Sequence, residues 1–180
     1  MVKLMAAAVL LLLVMLQTAR ADIDGPLAEA MRKDPEQFRA MAEDVIAGFG
    51  GPSGLTLAGI EDHVALERAA ARASAMRRFL AMDLNNDGAV GREELAVIQR
   101  AASATSRGRL ERQFAAADGD SDGRVSAAEI RAEGQAAALR ALTEAEATIL
   151  RALMTLDSDK DGALRMDEFR MSLTLPDEVT

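Results

Sequence analysis

Residues 83–94 read DLNNDGAVGREE, with acids and amides clustered at alternate places in a chain whose texture is otherwise alanine-rich and helical. The pattern returns as DGDSDGRVSAAE at 118–129 and DSDKDGALRMDE at 157–168, at offsets of 35 and 39 residues. A unit repeated in this way is a structural element used several times. Its chemistry should therefore be read from all three copies together.

A hard divalent cation such as Ca2+ takes about six to eight oxygen ligands, and a twelve-residue loop can supply them from positions 1, 3, 5, 7 and 12. The first loop offers Asp83, Asn85, Asp87 and Glu94 at positions 1, 3, 5 and 12. The second offers Asp118, Asp120, Asp122 and Glu129, and the third Asp157, Asp159, Asp161 and Glu168. Ala89, Arg124 and Ala163 stand at position 7, where the backbone carbonyl is the ligand. The sharp turn at position 6 needs positive φ, and Gly88, Gly123 and Gly162 meet it. Position 8, which should pack beneath the loop and pair with a neighbour, is Val90, Val125 and Leu164.

These segments resemble EF-hands, and D-x-[DN]-x-[DN]-G-x5-E is complete in all three. The resemblance is firm over 70–175 and implies an all-α fold of helix–loop–helix repeats, paired in two lobes with short strand pairing between loops. It also implies up to three bound Ca2+ and no catalytic site. The flanks agree: Phe79 and Met82, Phe114 and Ala117, and Leu153 and Leu156 precede the loops at helical spacing, while Leu95, Ile130 and Phe169 follow them. Lanthanide-binding periplasmic relatives carry Pro at position 2, where this chain has Leu84, Gly119 and Ser158, so calcium is the expected metal.

Affinity rises with ligand charge. Loop one has Asn85 in place of a carboxylate and Gly91 at position 9; loop two has Ser126 at position 9, able to hold a water; loop three has Arg165 there, whose charge opposes a cation unless it points away. The second site should be the tightest.

EF-hands pair, so three leave one over. A degenerate fourth hand over 35–61 would complete the set: with its loop starting at Gly50, Leu57 falls at position 8 and Glu61 at position 12, but Gly50, Pro52 and Gly54 stand where ligands should be. The expected division is then a lobe at 35–104, with the degenerate and first hands, and a lobe at 105–175, with the second and third, joined near SATSRG at 103–108. The rival arrangement pairs hands one and two and leaves the third to a protein partner or a second copy of the chain.

The rest of the chain sets the context. Pro35 after Asp34 starts a helix to about Ala47, GFGGPSG at 48–54 is a loop, and the stretch from Thr56 to Ala81 reads as one long helix or two abutting ones. Residues 22–34 form a loosely ordered lead-in. Lys3, the apolar run Leu4–Leu16 and Ala19-Arg20-Ala21 make 1–21 a secretory signal, cleaved after Ala21. The run is too short to span a bilayer, so no stable membrane anchor remains and the location is periplasmic or secreted. A formal charge of -8 argues against nucleic-acid partners, and the absence of Cys excludes disulfides and thiolate sites. His63 is the single histidine. Arg68, Arg72, Arg77 and Arg78 read as a solvated basic face. Met76, Met82, Met154, Met166 and Met171 could line a groove opened by calcium, though filling an aromatic-poor core is the plainer use.

Overall fold

The computed structural model describes residues 25–174, so the export signal expected at 1–21 lies outside the described residues. Eight α-helices are found among the described residues: α1 (Pro26–Lys33), α2 (Pro35–Phe49), α3 (Leu57–Leu80), α4 (Arg92–Arg100), α5 (Ala104–Ala117), α6 (Ala127–Ala141), α7 (Glu144–Ala152) and α8 (Met166–Thr174). A single 3-10 turn, Leu153–Leu156, leads into the third loop. Two short strands, β1 (Val90–Gly91) and β2 (Arg124–Val125), are the sheet. The fold is all-α with short strand pairing, as the repeats imply.

Helix starts follow local chemistry. Asp34 Oδ1 accepts the Gln37 N–H at 3.0 Å, and Pro35 costs nothing in a first turn whose N–H groups lack helical partners. Thr56 Oγ1 accepts the Gly59 N–H, and Thr143 and Glu146 cap each other's backbone N–H groups reciprocally. The segment read as a loose lead-in is instead helical over Pro26–Lys33. Pro26 opens it, Glu29 and the Arg32–Lys33 pair suit its dipole, and burial of Leu27 anchors it.

Loop pairing departs from the expected division. Val90 pairs antiparallel with Val125, which joins hands one and two. Leu55 and Leu164 exchange backbone hydrogen bonds at 2.9 and 2.8 Å, which joins the GFGGPSG segment to hand three. The units are thus an inner pair nested within an outer pair, and neither 35–104 nor 105–175 is a packing unit. The cores agree: Phe38, Leu55, Ile60, Leu150, Leu164 and Phe169 lie in one, and Phe79, Val90, Leu95, Phe114, Val125 and Ile130 in the other.

The physical reason is α3. At 24 residues it is about 36 Å long, so it carries the chain out of the outer core and into the inner one. Helix α6 brings it back, packed along α3 in the most extensive helix contact of the molecule. The two come closest at Gly134, where a Cβ would lie 2.8 Å from Met76 Cγ. Residues 103–108, read as a joint, are the cap and first turn of α5, with Ser103 Oγ accepting the Ser106 N–H. Because each loop has a partner within the chain, the argument for a dimer through an odd hand loses its basis.

The degenerate loop also has a different register. The Gly50 N–H bonds Ile46 O as the Asp118 N–H bonds Phe114 O, which makes Gly50 the first loop position. Leu55 then pairs five places on, where Val125 pairs seven places after Asp118, so this loop is two residues shorter than a cation-binding one. Leu57, expected beneath the loop, is half exposed, and Leu55 is fully buried in its stead. Glu61, expected to close a cage, pairs with Arg151 at 2.6 Å. Gly51 and Gly54 exchange hydrogen bonds of 3.0 Å, so the turn is closed by its own backbone.

Gly54 has φ +116°, and a Cβ there would come 2.8 Å from Leu164 O. Gly54→Ala should therefore lower stability by about 1–2 kcal/mol through strain and a spoiled pairing. Denaturant unfolding measures it, and an unchanged midpoint would show that the outer pairing does not depend on this turn.

Acid should loosen the outer pair as well. Hydrogen bonds from Arg170 hold the Glu43 carboxyl below its ordinary value, those from Arg151 do so for Glu61, and the Thr143 N–H does so for Glu146. A carboxyl depressed in the folded state stabilises above its unfolded pKa, and that contribution is lost as pH falls through the folded value. The melting temperature of the calcium-free protein should drop between about pH 5 and pH 3. A flat profile over that range would count against these pairs.

Candidate metal centre

Each acidic loop folds by the same hydrogen-bond scheme. The position-1 aspartate accepts the position-6 glycine N–H: Gly88 to Asp83 at 2.9 Å, Gly123 to Asp118 at 3.2 Å and Gly162 to Asp157 at 2.9 Å. Asn85, Asp120 and Asp159 each accept the N–H of position 5 at 2.9–3.1 Å. Asp87, Asp122 and Asp161 accept the N–H groups of Ala89, Arg124 and Ala163, fixing the position-7 peptide beside the side-chain oxygens. Glycine at position 6 has φ of 84–88° in all three loops. Asn86, Ser121 and Lys160, at position 4, are also left-handed with φ of 58–60°, a feature that only the asparagine suggests from sequence.

The position-12 glutamates lock loop to helix. Glu94 accepts from Leu84 and Gly91, Glu129 from Gly119 and Ser126, and Glu168 from Ser158 and Arg165. The position-9 N–H bond is the first cause holding each glutamate below the ordinary carboxyl value. Ser126 Oγ is engaged here, 2.8 Å from Glu129 Oε2, as the cap of α6.

Carboxylate oxygens of Asp118, Asp120 and Glu129 lie within 4.8 Å of one another, as do those of Asp157, Asp159 and Asp161. Like charges at that spacing repel unless a cation joins them. Asp118 is buried, and its Oδ1 has no hydrogen-bond donor. A buried carboxylate oxygen without a partner is costly, and a cation at the centre of the loop would satisfy it. The donor set is all oxygen, which fits a hard divalent ion.

Two arginines, one unforeseen, reach into the cages. Arg124, expected to serve only through its carbonyl, extends its guanidinium to Asp87 Oδ2 of the neighbouring loop at 2.9 Å. Arg165 points inward, reaching Asp161 at 2.6 Å and Asp159 at 2.5 Å, with Glu168 at 3.7 Å. These contacts raise the Arg165 pKa further and hold Asp159 below its ordinary value. Arg92, in the first turn of α4, lies 4.3 Å from the Phe114 ring centroid and binds Glu111 at 2.7 Å, tying the two inner hands together.

Other singled-out residues have structural surroundings. Met82 is buried in the inner core with Met76 against it, Met154 and Met166 pack on the outer core, and Met171 is exposed. Arg68 donates to Leu142 O and pairs with Glu144, both at 2.9 Å. His63 packs on Phe49 with centroids 4.8 Å apart. Among the described residues, no helix is long and apolar enough to cross a membrane.

No curated protein and no solved structure matches the chain. The model of the EF hand family matches at residues 76–98 and 110–132, which span the first two loops and their flanking turns. Those matches identify EF-hand motifs at the inner pair, and the clustered carboxylates of loops two and three agree with them.

Proposed function

We propose that this chain is an exported calcium-binding protein, periplasmic or secreted and of bacterial type, that works as a structural or buffering module. The observation that carries the calcium reading is Asp118 Oδ1, buried and without a donor amid the carboxylates of Asp120 and Glu129. Calcium would be held by Asp83, Asn85, Asp87, the Ala89 carbonyl and Glu94; by Asp118, Asp120, Asp122, the Arg124 carbonyl and Glu129; and by Asp157, Asp159, Asp161, the Ala163 carbonyl and Glu168. The bound ion supplies the counter-charge that these clusters lack. A structural role is favoured because the outer pair already closes on its own bonds, through the Gly51–Gly54 turn and Arg165.

Calorimetric titration of the mature chain with calcium tests this. Up to three sites should appear, the second tightest and the third weakest; no heat at millimolar calcium would sink the reading. Export is tested separately by fractionation and by a mature N-terminus at Asp22. A sensor reading draws on Met76 and Met82 in the inner core, between helices that flank the loops. New binding of a hydrophobic dye on adding calcium would favour it over buffering.

A further inference from the structure

A cleft of about 310 Å³ lies between α3, α5 and α6, with no residue of the acidic loops in its lining, and is formed by Arg78, Arg109, Arg112 and Arg140 with Phe79 and Gln113. Among the described residues, eight arginines, Arg140 among them, have a carboxylate within ion-pair reach, while Arg78, Arg109 and Arg112, like several arginines outside the cleft, do not. In a chain of net charge -8, three cations share one concavity while Glu133, the acid beside them, is taken by Arg140 at 2.7 Å.

Helix dipoles account for Arg78 and Arg140, which lie in the last turns of α3 and α6. They do not account for Arg109 and Arg112, which sit within α5 three residues apart and so share a face. Guanidinium forks bind tetrahedral oxyanions through paired hydrogen bonds, and Gln113 adds an uncharged donor. The small volume and concave shape suit a compact ligand, and the buried Phe79 ring gives the cleft an apolar wall. We propose that this cleft is a binding site for a phosphate monoester of a small molecule, its dianion held by Arg78, Arg109 and Arg112. The site does not depend on calcium.

The test is an NMR titration of the full mature chain, in metal-free buffer, with phenyl phosphate as the probe. Saturable shifts of the Nε–H signals of Arg78, Arg109 and Arg112 are expected. Arg109→Gln with Arg112→Gln should weaken binding about tenfold or more, since each removes a charge-assisted contact. Arg131→Gln, exposed on α6 outside the cleft, should leave it unchanged. Circular dichroism matching the parent checks that the double variant folds. Shifts that grow linearly without saturating, or an equal loss in Arg131→Gln, would overturn the site in favour of diffuse charge attraction. Attachment to phosphatidylglycerol vesicles that phenyl phosphate does not displace would overturn it in favour of a membrane surface.

Discussion

Glu129→Gln should abolish high-affinity calcium binding at the second loop, raising its dissociation constant by well over about tenfold. The size follows from two duties that one side chain performs. As the twelfth residue, Glu129 would close the cage with both oxygens, and the amide removes one oxygen and the charge. As the third residue of α6, its Oε2 accepts the Ser126 N–H and hydroxyl at 2.8 Å, and its Oε1 accepts the Gly119 N–H at 2.7 Å. An amide nitrogen at either place would face a donor with a donor, so the loop would also lose its tie to the helix. Calorimetry should show one site fewer, with the other two kept. A titration like that of the parent would mean that Glu129 closes the helix cap and nothing more.

The loops were legible because the cation dictates residue types place by place. Acids at 1, 3, 5 and 12 and glycine at 6 follow from coordination number and φ, and the structure gives all three loops one backbone. Helix starts at Asp34 and Thr56 were legible for the same reason, since a cap is a bond between neighbours in sequence. Pairing order was not. Whether Leu164 meets Leu55 or Val125 depends on the length of α3 and on the α3–α6 contact at Gly134, which no local pattern encodes. The degenerate loop begins at Gly50 as read, but beyond it the register slips by two residues because, without ligands, nothing in the sequence fixes the loop's length. Burial of Leu55 then settles the register.

The arginines were hidden for a different reason. A position-7 residue is read for its carbonyl, yet the Arg124 side chain crosses to Asp87 while its own N–H is bonded to Asp122. One residue thus touches both inner cages. A cation at the first loop would have to compete with its guanidinium, and one at the second would hold its peptide, so the two inner loops share a mechanical element besides the β1–β2 pairing.

Arg165→Gln should have opposite effects with and without calcium, and this contrast makes it the sharper test of the third loop. The Arg165 guanidinium now stands where it opposes an incoming cation, on Asp159 and Asp161 and near Glu168. Arg165 is about one-third exposed and can swing partly into water, which weakens its opposition to a cation without removing it. Calcium affinity at the third loop should rise severalfold, because the cage then carries its full negative charge toward the ion. The calcium-free protein should instead melt earlier, because Asp157, Asp159, Asp161 and Glu168 would face one another with no internal cation. Gln keeps a polar side chain of similar reach and the backbone N–H to Glu168, so helix α8 should still start where it does. Tighter binding with unchanged calcium-free stability would make Arg165 a bystander that merely repels. Lower stability with unchanged binding would mean that it leaves the cage freely when calcium arrives, and that the third loop owes its weakness to something other than its arginine.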